Sequence, residues 1–177
     1  EHYLSALEIY WANDRPALAA EDIHRISRLL LSRYDWEGAE ANLNRAIEFH
    51  LAHKDREREA IARANLGYAL ENQDKFDEAA EQYQSSAAIF TELDDQAQVR
   101  KVQHQQIKAL ALSGKETEAR LQLGLLYGDA PMEAGKLCLE LGWAEEAERY
   151  FESVVDSTQE PTERARLLNR LGILAAR

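Results

Sequence analysis

The stretch 23–46 reads IHRISRLLLSRYDWEGAEANLNRA and carries Ile23, Ile26, Leu30, Trp36, Ala39, Leu43 and Ala46. Forty residues on, the stretch 63–86 reads RANLGYALENQDKFDEAAEQYQSS. The matching positions are Arg63, Leu66, Leu70, Phe76, Ala79, Tyr83 and Ser86, and all but the first keep an apolar or small residue. A third copy holds Gln103, Gln106, Leu110, Glu116, Ala119, Leu123 and Leu126; its second half keeps the pattern and its first half has drifted polar. Within each half the apolar residues fall three or four apart, so they share one helical face. A short polar turn separates the halves, as in Ser32-Arg33-Tyr34-Asp35 and Asn72-Gln73-Asp74-Lys75. Each unit is therefore an antiparallel helix pair. One pair cannot cover its own apolar faces, whereas stacked pairs can, with Ala39, Ala79 and Ala119 permitting close approach.

Composition agrees. The chain has 177 residues, 45% hydrophobic and 30% charged. It holds 28 Ala and 24 Leu against 8 Ile, 4 Val and 4 Thr, so helix formers outnumber β-branched residues. Only 8 Gly and 3 Pro punctuate it. The net charge of −11 disfavours direct contact with nucleic acid or an anionic membrane, both of which call for clustered Lys and Arg. The lone Cys138 cannot form an intramolecular disulfide, which suits a reducing, cytoplasmic setting. No apolar run approaches the roughly 20 residues that span a bilayer, and no signal peptide is read at the start.

Several stretches resemble the tetratricopeptide repeat family. The best match is Asn65-Leu66-Gly67 followed by Phe76-Asp77-Glu78-Ala79-Ala80, Tyr83 and Ile89-Phe90. A second is Gly142-Trp143-Ala144-Glu145-Glu146-Ala147 with Tyr150-Phe151, and Leu171-Gly172 repeats the first-helix signature. The forty-residue spacing is similar to that of the long-helix subclass found in signalling scaffolds and bacterial regulators. The resemblance implies an all-α, right-handed α-solenoid of about ten helices in a single domain spanning 1–177. Repeats are expected near 16–53, 56–93, 96–127 and 130–156. Residues 1–12 read as the second helix of a truncated unit and 161–176 as an unpaired or capping helix. An array that starts and stops within a unit is expected to be a piece of a longer protein, the other reading being that both ends are caps. The step from Ala119 to Ala147 is only 28 residues. There Gly128 is expected to end a helix, Asp129 to cap the next and Pro131 to open it. Pro16 and Pro161 also suit helix starts.

No phosphate loop, nucleophile elbow or His-Glu-x-x-His helix occurs. Paired carboxylates such as Glu145-Glu146 and Asp94-Asp95 fall on polar faces or turns. His50 and His53 stand three apart with no obvious third metal ligand. Cys138 shares an apolar stripe with Ala134 and Leu141 and reads as a packing thiol. Trp36 and Trp143 fall at helix-pair turns and read as packing residues; Trp11 has no evident place. No catalytic residue, metal or cofactor is assigned.

The resemblance places function on a concave groove lined by the first helix of each pair. The forty-residue register then gives four rings: Glu21, Ile61 and Lys101; His24, Ala64 and His104; Arg25, Asn65 and Gln105; Arg28, Tyr68 and Lys108. The candidate partner-binding residues are His24, Arg25, Arg28, Asn65, Tyr68, Lys101, His104, Gln105 and Lys108. They form a basic surface on an acidic chain, suited to an acidic protein or peptide partner. Asn65 can hydrogen-bond a peptide backbone both ways, Arg28 can grip a carboxylate and Tyr68 offers an aromatic anchor. Chaperone-binding relatives hold a terminal carboxylate with five groove residues. Here Asn65 and Lys101 match that set, whereas His24, Arg28 and Gln105 depart from it. The function expected is a non-catalytic interaction scaffold. The alternative is an effector-sensing domain of a larger bacterial-type regulator, a transcription activator or signalling ATPase. Self-association is a third reading, and the oligomeric state is left open.

Overall fold

The computed structural model describes residues 16–155, with Ile9, Thr162, Arg166, Leu167 and Asn169; over 16–21 it describes the backbone alone. The described residues form eight α-helices and no strand: α1 (Pro16–Ser32), α2 (Trp36–Ala52), α3 (Arg56–Glu71), α4 (Phe76–Glu92), α5 (Gln96–Leu112), α6 (Glu116–Tyr127), α7 (Pro131–Glu140) and α8 (Ala144–Val155). The all-α helical-repeat architecture is as expected, with eight helices rather than ten. The helices expected over 1–12 and 161–176, and Trp11, lie outside the described residues. Contacts divide the chain into two compact units, Glu1–Lys115 and Glu116–Arg177. The division falls between α5 and α6, inside the stretch 96–127 that the spacing assigns to one repeat.

In unit 1 each helix from α1 to α5 packs on the next in sequence. The small residues expected to allow this do so: Ala39 and Ala79 are wholly buried, as are Ala60, Ala69 and Ala109. Leu43, Leu66, Leu70, Tyr83, Phe90 and Ile107 fill the space between them. The third repeat's polar drift does not displace its face from the core, because Gln106 is buried where Leu66 stands one unit earlier. Gly67 is fixed by proximity: a Cβ there would lie 2.7 Å from Tyr83 Cε1. Unit 2 repeats the device, where a Cβ on Gly135 would lie 2.6 Å from Phe151 Cε1. In both pairs the aromatic residue follows the glycine by sixteen positions, so one helix pair is built on the same contact in each unit.

One joint recurs throughout. Tyr34, Lys54, Asp74, Asp94, Gly114 and Gly142 adopt positive φ, the first five spaced twenty apart. At each, the next residue's N–H reaches back six positions, as Asp35 to Leu30 (3.1 Å), Asp55 to His50 (2.9 Å) and Trp143 to Cys138 (2.8 Å). The left-handed residue's own N–H bonds a second carbonyl, as Lys54 to Leu51 (3.2 Å). This pair of bonds satisfies carbonyls that the helix end would otherwise orphan. The following residue then starts the next helix. Asp35, Asp55 and Asp95 accept hydrogen bonds from the N–H groups of Gly38, Arg58 and Gln98. Lys75 caps nothing and instead pairs with Glu40 on α2 at 2.8 Å. Lys115, in the same register, pairs with Asp77 on α4 at 2.8 Å.

The joint between α6 and α7 differs from expectation. Pro131 opens α7 as expected, but Ala130 rather than Asp129 holds the cap position, with no side-chain bond. Proline at the first helical position has no N–H to be capped, so the acceptor is less needed. Gly128 does not take positive φ; a Cβ there would meet the Gly124 carbonyl oxygen at 2.9 Å.

Buried polar groups are mostly paired. Asn42 on α2 donates to Ile23 O (3.1 Å) and Ser27 Oγ (2.8 Å) on α1, and Ser86 on α4 donates to Ala60 O (2.7 Å) on α3. Glu59, 2% exposed, lies between Arg56 (2.7 Å) and Arg63 (2.9 Å), and Arg56 continues to Glu92 (2.6 Å). In unit 2 Arg120 sits 4.5 Å over the Trp143 ring and bonds Glu116 (2.7 Å) and Glu146 (3.0 Å). Trp143 is buried there, in the packing role expected of it.

Candidate functional site

A pocket of about 350 Å³ opens in unit 1 between α3 and α5. Ile61, Ala64, Asn65 and Tyr68 of α3 form one wall, and Gln98, Lys101, Val102 and Gln105 of α5 the other. Tyr83 and Phe90 of α4 complete the lining. The two walls are consecutive odd-numbered helices held apart by α4, so their facing side chains meet a helix pair's aromatic core. Tyr83 is locked: burial first, and then the charge and hydrogen bond of Glu71, push its phenol far above the ordinary range. Its hydroxyl donates to Glu71 Oε2 at 3.0 Å. The lining is thus an apolar floor under three amide side chains, one phenol edge at Tyr68 and one ammonium at Lys101. Such a pocket can seat an apolar group while the amides bond an exposed backbone and Lys101 attracts an anion.

Of the nine candidates, the structure brings Asn65, Tyr68, Lys101 and Gln105 together on this pocket, with Ile61 and Ala64 from the same rings. His104 and Lys108 are half-buried on α5 and are not among its lining residues. His24, Arg25 and Arg28 lie on α1, away from it. Arg25 is engaged with Asp22 on its own helix. His24 is held neutral, its pKa lowered by burial and then by the charges of Arg28 and Arg58. The side chain of Glu21 lies outside the described residues. Sequence reasoning missed Tyr83, Phe90, Gln98 and Val102. The first two had been read as second-helix packing, which they also are; only the gap between α3 and α5 exposes them.

His50 and His53 diverge. His53 stacks on Phe49 at 4.1 Å and its Nδ1 lies 2.8 Å from Phe49 O. His50 is 1% exposed and its Nδ1 has no hydrogen bond; Asp55 Oδ2 stands 3.8 Å away. Burial lowers the His50 pKa, Asp55 opposes that, and Arg58, His24 and His53 add to it. Among the described residues no three His, Cys, Asp or Glu side chains are grouped to hold a metal ion. Cys138 is buried, and burial with the nearby Glu146 pushes its thiol up to about 11, so it stays protonated and unreactive. No helix among the described residues is long and apolar enough to cross a membrane.

No protein-family model matches the chain, and no curated protein matches it in sequence. Solved structures do match in fold. The chain is similar to BtubC (BKLC) from P. vanneervenii, with a TM-score of 0.58, 17% identity, and coverage of 97% of this chain and 78% of that one. It is equally similar to a Rap protein solved in complex with Competence and Sporulation Factor, with a TM-score of 0.58 and 17% identity. That match covers 98% of this chain and spans 57% of the Rap chain. At this identity the likeness shows the fold, a helical repeat of the tetratricopeptide type.

Proposed function

We propose that this chain is a non-catalytic interaction module that binds an extended, acidic segment of a protein partner in the pocket between α3 and α5. The observation that carries the reading is the convergence of Asn65, Tyr68, Lys101 and Gln105 on one pocket with an apolar floor. Asn65, Gln98 and Gln105 suit an extended backbone, whose N–H and C=O groups are unpaired. Lys101 is the pocket's charged lining residue and suits a carboxylate beside the seated side chain. The Rap protein's structure with Competence and Sporulation Factor supports a ligand-holding role for this kind of fold. The basic candidates on α1 and α5, His24, Arg25, Arg28, His104 and Lys108, would attract the partner at longer range. The net charge of −11 argues against nucleic acid or an anionic membrane as the partner. A protonated, buried Cys138 fits a cytoplasmic setting.

A second reading is a sensor arm within a larger regulator. The chain spans only 57% of the Rap structure it matches, so this fold also occurs inside longer chains.

The test is affinity capture from source lysate on the wild type, an Asn65→Ala, Lys101→Glu variant and an Arg28→Glu variant. A protein retained by the wild type, lost with the pocket variant and weakened by salt establishes the pocket reading. Equal recovery on the wild type and the pocket variant removes the partner from the pocket. Absence of any specific protein favours the sensor reading.

A further inference from the structure

Tyr34, Trp36 and Tyr68 form a row of aromatic rings on the surface of unit 1. Tyr34 stands in the turn between α1 and α2, Trp36 opens α2, and Tyr68 lies near the end of α3. The Tyr34 and Trp36 centroids are 5.5 Å apart with planes at 70°. Trp36 and Tyr68 are 5.7 Å apart at 88°. Tyr34 is 75% exposed, Tyr68 47%, and Trp36 is half-buried between them. Trp36 was expected to be a packing residue; it packs mainly on two rings that are themselves open to water. Among the described residues, neither phenol of the row nor the Trp36 indole has a hydrogen bond.

Tyr34 is also in the wrong conformation for its size. Its φ of 60° is left-handed, at a joint where the chain elsewhere places Lys54, Asp74, Asp94, Gly114 and Gly142. A bulky side chain there costs about 1–2 kcal/mol relative to glycine. Little burial offsets that cost, since most of the ring is in solvent. The stability of the turn therefore does not account for a tyrosine at 34, whereas presenting its ring does.

We propose that the Tyr34–Trp36–Tyr68 row docks a proline-rich segment of a partner protein in the polyproline II conformation. Three rings, each perpendicular or nearly so to the next, leave two clefts, one on either side of Trp36. Polyproline II has three residues per turn and rises about 3.1 Å per residue, so prolines one turn apart are about 9 Å apart. The two centroid steps together match that repeat, which sets the first and last residues of a Pro-x-x-Pro turn into the row. A polyproline II backbone makes no internal hydrogen bonds, and the unsatisfied Trp36 Nε1–H and the two tyrosine hydroxyls supply donors for its carbonyls. The segment is already extended, so little entropy is lost on docking. Flanking side chains are of both signs, with Arg33 among Asp35, Glu37, Glu71 and Asp74. The row therefore selects shape rather than charge, which argues against a simple cation as the ligand. It shares Tyr68 with the α3–α5 pocket but does not depend on it, so either assignment can fail alone.

The test titrates N-acetyl-decaproline amide into the full chain and follows the tryptophan indole N–H signals by NMR, assigned with Trp36→Phe. The expected result is a saturable shift of the Trp36 signal with none for Trp143, and none with a capped Gly-Ser decapeptide. Tyr34→Gly should weaken binding about tenfold while raising the unfolding midpoint, so the loss cannot come from misfolding. Lys101→Glu should leave the affinity unchanged. The proposal is overturned if millimolar decaproline leaves Trp36 unmoved, or if Tyr34→Gly binds as tightly as wild type. Loss of binding with Lys101→Glu but not with Tyr34→Gly overturns it too, and places the peptide in the pocket.

Discussion

Gly67→Ala should destabilise unit 1, although alanine is the better helix former. In the interior of α3 the exchange by itself would gain about 1 kcal/mol. The new methyl, however, would sit 2.7 Å from Tyr83 Cε1, 2.9 Å from Cδ1 and 3.0 Å from Cζ. Carbon atoms at optimal contact stand roughly 3.5–4.0 Å apart, so the ring would have to retreat by about 1 Å. It has nowhere to go: Tyr83 is 2% exposed and its hydroxyl is tethered to Glu71 at 3.0 Å. Overpacking of this kind costs about 1–3 kcal/mol and commonly exceeds the propensity gain. The net expectation is a loss of about 1–2 kcal/mol, or a few degrees in the melting temperature of a chain this long. Gly124, in the interior of α6, is the matched control, because a Cβ there meets nothing within 4 Å. Gly124→Ala should therefore stabilise, by about 0.5–1 kcal/mol. Urea unfolding followed by circular dichroism would report both signs. A double-mutant cycle of Gly67→Ala with Tyr83→Leu should be strongly non-additive, since removing the ring removes the clash. A stabilised Gly67→Ala, or an additive cycle, would refute the close-approach account of these glycines.

Lys54→Gly should raise stability by about 1 kcal/mol, because Lys54 holds φ at 56° with an exposed side chain; an unchanged or lower urea midpoint would contradict it. Glu59→Ala should lower stability by about 2–3 kcal/mol, leaving Arg63 and Arg56 without their buried acceptor, as the same midpoint would show. His50 has its pKa lowered by burial, so the folded state takes up a proton less readily than the unfolded chain. Its contribution is therefore complete above about pH 6.5 and declines as the pH falls below that value towards the folded pKa. His50→Gln should flatten that part of the stability–pH profile, and an unaltered slope between pH 7.5 and 5 would exclude His50 as its source.

The repeat was legible because close packing leaves a periodic trace. Ala39, Ala79 and Ala119 had to be small at forty-residue intervals, and each is wholly buried. The joints left no such trace. Their left-handed positions are filled by Tyr34, Lys54, Asp74 and Asp94, four residues with no shared chemistry, since the conformation is imposed by the two carbonyl-capping bonds on whatever stands there. Asp129 was misplaced as a cap because a proline at the helix start removes the donor that the cap would serve. The polar residues His50, Glu59 and Gln106 are buried, and the pattern of apolar residues could not indicate that. For the pocket, spacing gave the wall residues on α3 and α5 but not the floor, because Tyr83 and Phe90 belong to the packing stripe of α4. What spacing could not give was which ring members meet. Arg28 and Lys108 share a register with Tyr68, yet neither is among the residues lining the pocket.

The joints are alike whether the chain passes from an odd helix to an even one or back again. Nothing in the turn tells a helix which side of the array it occupies. A duplication or loss of one twenty-residue helix-and-turn module would leave every joint intact while exchanging the roles of all later helices. What resists that slip is the glycine and alanine grammar of the faces, Gly67 against Tyr83 above all. In such an array the hinges are interchangeable and the phase is stored in the side chains, so whole modules can be gained or lost in pairs but not singly.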